Sequence, residues 1–100
     1  MALTKFGFIV TGSGLDPAKH RTTMSSDRFE MIAVGVSEPS HGIAVARDLV
    51  AGGVQLLELC GGFGPVWTGR VIDAIDGKIP VGSVGYGPEA MAPMHALFGE

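Results

Sequence analysis

Residues 53–65, GVQLLELCGGFGP, restrict what this chain can become more than any other stretch. An apolar run over 54–60 stops at Gly61-Gly62-Phe63-Gly64, and Pro65 opens a pattern of helical spacing. A strand that ends in a glycine loop and feeds a helix N-terminus marks a βα unit. Such a loop also presents free backbone N–H groups at the positive end of a helix dipole. That geometry suits an anion or a small polar ligand.

The same punctuation recurs along the chain. Residues 5–11 (KFGFIVT) are apolar on both alternating faces, as in a strand covered on both sides. Gly12-Ser13-Gly14-Leu15 reads as a turn, and Asp16-Pro17 as an N-cap followed by proline at the first helical position, which predicts a short helix over 17–24. Residues 29–36 form the second predicted strand. A helix follows over 41–51, with Ile43, Ala46, Leu49 and Val50 on one stripe and Gly52-Gly53 as its stop. The third strand covers 54–60. The next helix covers 65–76, with Trp67, Val71, Ala74 and Ile75 turned inward. A fourth strand covers 79–84. The tail is helical from about Ala92, because proline is tolerated only in a first turn and Pro93 must sit there.

The predicted order is βαβαβαβα: a single α/β domain of 100 residues with four mostly parallel strands. An open three-layer sheet is the expected architecture. A half-barrel is the alternative, and it would need two halves to associate.

Composition bears on partners. The chain is 46% hydrophobic and only 17% charged, against about 25% charged in an average domain. So few charges cover a small globule poorly, which predicts a homo-oligomer, with a sticky monomer as the alternative. A net charge of −3 without basic clusters argues against nucleic acid. No apolar run approaches the roughly 20 residues of a membrane span, and no secretory signal is evident at the start of the chain. Cys60, the lone cysteine, has no internal disulfide partner. Together these features predict a cytoplasmic protein without membrane contact.

In a parallel α/β sheet, ligands bind beyond the carboxyl ends of the strands. Thr11, Ser13, Gly61, Gly62, Gly64 and Tyr86 fall on that rim and are the predicted ligand-binding residues, with a phosphate or carboxylate as occupant. The alternative is that these glycines only make tight turns. No P-loop and no dinucleotide fingerprint is present, so no cofactor is predicted. Glu58 lies mid-strand. If both faces are covered, it is a buried carboxylate, which is how a general base is commonly made. A structural pair, or exposure at an oligomer surface, is its other reading. Cys60 stands before a possible helix dipole, a setting that favours a nucleophilic thiolate, with His20 or His41 as its base. A small buried hydrophobe is the alternative for Cys60. No Cys-x-x-Cys or His-x-x-x-His spacing occurs, so no metal site is predicted. Arg21 and Arg28 are candidates to neutralise a ligand anion.

The segments KFGFIVT at 5–11, GLDP at 14–17 with His20-Arg21, VGV at 34–36 and above all GVQLLELCGGFGP at 53–65 resemble a family of short, mostly bacterial chains catalogued only as a domain of unknown function. The likeness spans nearly the whole chain, and ELCGGFGP is its most specific part. It implies a stand-alone small protein and brings no activity with it. The leading expectation is therefore a small α/β protein that binds a small anionic ligand at its strand rim. An enzyme using Glu58 or Cys60 with a histidine, and an interaction module without a small-molecule site, are the alternatives.

Overall fold

The four expected apolar runs become neighbouring parallel strands in the computed structural model, which describes residues 2–99. These strands are β1 (Lys5–Thr11), β3 (Glu30–Val36), β4 (Leu56–Leu59) and β5 (Val81–Ser83). β1 lies at the centre, paired with β3 on one side and β4 on the other, and β5 follows β4. A fifth strand, β2 (Arg21–Ser25), runs antiparallel to β3 and completes the order β2-β3-β1-β4-β5. The sheet is open, and its order leaves β2 and β5 as free edges, so the half-barrel alternative is not realised.

β2 occupies the place where a helix was expected over 17–24. The helix-start signal is spent on a single turn. Asp16 Oδ1 accepts the Ala18 N–H at 2.9 Å, and the Asp16 carbonyl accepts the N–H groups of Lys19 and His20. The following Thr22 and Thr23 are β-branched and fit a strand better than a helix. They also supply the backbone partners that β3 would otherwise lack at its outer edge. The element order is thus βββαβαβα, and the first crossover is a strand hairpin instead of a helix.

The helices are α1 (Gly42–Ala51), α2 (Gly64–Ala74) and α3 (Met91–Phe98), each entered through a short 3-10 turn. Pro93 falls in the first turn of α3, where its missing N–H costs nothing. α1 and α2 pack on the same side of the sheet. Ile9, Val34, Val36, Leu57 and Leu59 meet Val45, Ala46 and Leu49 of α1 and Val71 of α2 in one cluster, closed by Val54, Phe63 and Ile75. Each fully buried aliphatic side chain contributes about 1.5–3 kcal/mol relative to exposure. Gly7 makes the close approach possible: a Cβ there would stand 3.0 Å from Leu57 Cδ1 and 3.3 Å from Leu49 Cδ1.

The opposite face departs from the expected third layer. Phe6, Phe8 and Val10 are only half-buried, and Glu58 is exposed. Helical cover on that side is confined to the carboxyl rim, where Met94 and Phe98 of α3 stand beside Val10 and Cys60. The strands are therefore covered fully on one face and partly on the other.

Candidate functional site at the strand rim

The carboxyl ends of β1 and β4 carry the expected site. β4 ends at Leu59, and the Cys60 N–H still donates to the Ile9 carbonyl at 3.1 Å. The chain then winds into the Gly61–Phe63 turn. No side chain caps that turn among the described residues, while the Phe63 N–H donates back to the Cys60 carbonyl at 3.1 Å. Phe63 is buried and its ring lies against Gly42 at the head of α1. Gly64 then takes φ 66° and ψ 175°, a conformation open almost only to glycine, to swing the chain into α2. The Thr68 hydroxyl donates to the Gly64 carbonyl at 2.7 Å and holds that first turn.

Cys60 is half-buried and engaged. The Thr11 N–H donates to its sulfur at 3.2 Å, and Thr11 Oγ1 also lies 3.2 Å from the sulfur. Gly62 sits directly over Thr11 Oγ1, with no room there for a Cβ. On the other side Tyr86 leans over Gly61: a Cβ on Gly61 would meet the tyrosine ring at 3.0 Å. These groups, with Val10, Met94 and Phe98, enclose a hollow of about 500 Å3. Five of the residues singled out from the sequence thus come together: Thr11, Cys60, Gly61, Gly62 and Tyr86.

The others do not join them. Ser13 is exposed on the turn after β1, and Gly64 shapes the α2 entrance; neither lines the hollow. Glu58 faces solvent on the half-covered side of the sheet, beside Gly82 and Ser83, so the buried carboxylate expected for a two-sided cover is not formed. His20 accepts the Asp16 N–H on Nδ1 at 2.8 Å. His41 has Ser37 Oγ 3.4 Å from Nδ1 and Glu38 Oε2 3.4 Å from Nε2. Both histidines are exposed, and among the described residues neither hydrogen-bonds to Cys60. The geometry does not assemble a cysteine–histidine pair.

His20 lines a neighbouring hollow of about 380 Å3 instead. Its floor is apolar (Val10, Leu15, Ala33), and Lys19, His20 and Arg21 stand at its margin. Val10 borders both hollows, so the margin that carries Lys19 begins one side chain away from the Cys60 site. Arg21 also reaches Asp48 of α1, 3.2 Å away. Arg28 lies at the far end of the sheet, in an open depression between the chain start and the β2–β3 hairpin, remote from the rim. Of the remaining arginines, Arg70 stacks on the Trp67 ring at 4.5 Å and Arg47 donates to the Ala74 carbonyl, so both serve the helical layer. Among the described residues no three His, Cys, Asp or Glu side chains converge as metal ligands.

Sequence reasoning missed Val10, Met94 and Phe98 as walls of the hollow. Met94 and Phe98 are four apart in α3, a spacing that puts both on one helix face. What the sequence did not disclose is that this face turns toward the end of β1.

The model of a family of unknown function, DUF6506, matches residues 4–99. No curated protein and no solved structure matches the chain.

Proposed function

Because the chain belongs to DUF6506, a family to which no activity is attached, its own geometry must supply a reading, and we propose that it binds a small carboxylate or phosphate monoester with an apolar body at the carboxyl rim of its sheet. The observation that carries this reading is the meeting of two unlike hollows at Val10. One is walled by Tyr86, Met94, Phe98 and Val10. The other is edged by Lys19, His20 and Arg21. An apolar body fits the first, as in most small-molecule sites. The acidic end accepts from the uncapped amides of Gly61 and Gly62, with Lys19 supplying positive potential across Val10.

Thermal-shift and calorimetric titrations with acetate, hexanoate, decanoate and hexyl phosphate test the reading. Stabilisation should grow with chain length. It should be lost in Val10→Trp, which fills the boundary between the hollows, and weakened in Lys19→Glu. No stabilisation by any of these probes, or equal stabilisation of the Val10→Trp protein, would overturn it. Among the described residues the Cys60 sulfur has Thr11 for its hydrogen-bond partner, which favours binding over the enzymatic alternative.

A further inference from the structure

Among the described residues one sheet face and one helix are only partly covered by the rest of the chain. Across that face the strands place side chains in register, Met24–Met31–Phe6–Leu56 in one row and Thr22–Ala33–Phe8–Glu58–Gly82 in the next. The middle of each row is apolar. The two polar side chains, Thr22 and Glu58, stand on β2 and β4, toward opposite margins. Glu58 is the single charge in these rows, and its neighbour Gly82 has no side chain to bar the carboxylate from water past β5. An apolar centre with a polar rim is the usual anatomy of a protein interface.

α3 supplies the second partly covered surface. None of its residues is buried, and Met91, Leu97 and Phe98 are 72%, 73% and 72% exposed. The whole chain exposes 6380 Å2, about 1,000 Å2 more than the roughly 5,400 Å2 expected of a folded monomer of its mass. That surplus is close to the roughly 800 Å2 that each partner gives to a standard interface. The radius of gyration, 14.2 Å, likewise exceeds the roughly 13 Å of a compact chain of this length.

We propose that a second copy of this chain covers the half-bare sheet face, the two faces meeting about a two-fold axis, with α3 of each copy closing on its partner and roofing the rim hollow. A two-fold pair lets one surface serve both sides. Each copy brings the helix that the other's sheet lacks, and the chain's surplus of exposed area is of the size one partner gives to a standard interface. This inference goes beyond ligand binding and does not depend on it.

Light scattering on size-exclusion-separated protein at tens of micromolar, without any ligand, tests it. The expected species has twice the 10.3 kDa chain mass. Phe8→Lys and Leu97→Lys should each return it to one chain mass with an unchanged far-ultraviolet spectrum. Met24→Lys gives the same readout at a side chain already 70% exposed, where folding is not at stake. Ile72→Lys, on the helical layer, should leave the dimer intact. In the dimer, a bulky maleimide should label Cys60 more slowly than in the Leu97→Lys monomer. A wild-type monomer, a dimer indifferent to both Met24→Lys and Leu97→Lys, or equal labelling of Cys60 in the two states would overturn the proposal.

Discussion

Thr11 and Gly62 show how closely the rim is fitted. The Thr11 hydroxyl fills the space that a side chain at position 62 would need, and it holds Cys60 from the other side. Gly62→Ala should therefore cost about 1–3 kcal/mol, the usual penalty of overpacking. Thr11→Ala should relieve much of that cost, and a double-mutant cycle followed by urea unfolding measures the coupling. Independent, additive effects would contradict the contact. The glycine loop was legible as a strand end feeding a helix. Its fit against Thr11 was not, because residues 11 and 62 meet only through the pairing of β1 with β4. Glu58 teaches the same lesson in reverse. Alternation along β4 puts it on the face of Leu56, opposite Leu57 and Leu59, but whether that face is covered depends on where α1 and α2 pack, which no local pattern in β4 records.

Between elements, the short contacts that set register come from residues that sequence patterns pass over. Gln55 Oε1 accepts the backbone N–H groups of Thr4 and Lys5, at 2.8 and 2.9 Å, and so clamps the start of β1 to the start of β4. Lys5 in turn donates to the Gly52 carbonyl at 2.6 Å. Gln55→Ala should destabilise the fold by about 1–2 kcal/mol, the cost of leaving donors unpaired at a part-buried site. Hydrogen exchange of the Thr4 and Lys5 amides should quicken first. Gln55→Glu keeps an accepting oxygen in place and should retain most of their protection; equal loss in both variants would count against the clamp. Three helices and four strands could be read from apolar runs and from Gly and Pro punctuation. β2 could not. Asp16-Pro17 is a sound helix start, and it does start a turn, but the free edge of β3 recruits the threonines that follow. That edge exists only once the sheet has formed, so nothing within residues 17–24 announces it.

For the molecule as a whole, the low charge content bears on whether copies of the chain associate. That content predicts thin polar cover, and the half-buried Phe6 and Phe8 mark the apolar face on which the proposed pairing rests. If copies pair there, the thermal midpoint should rise with protein concentration in the wild type and become independent of it in Phe8→Lys. A midpoint that does not move over a hundredfold range of concentration would speak against association. The ends of the sheet then decide how far association can go. β5 has only three residues, too short an edge to seat a long further strand. β2 is exposed along its whole length and carries Arg21, Thr22 and Thr23 in place of a flat apolar margin. Neither end invites a neighbour to extend the ladder. If copies do pair face to face, growth is thereby steered away from open-ended ribbons and toward a closed pair.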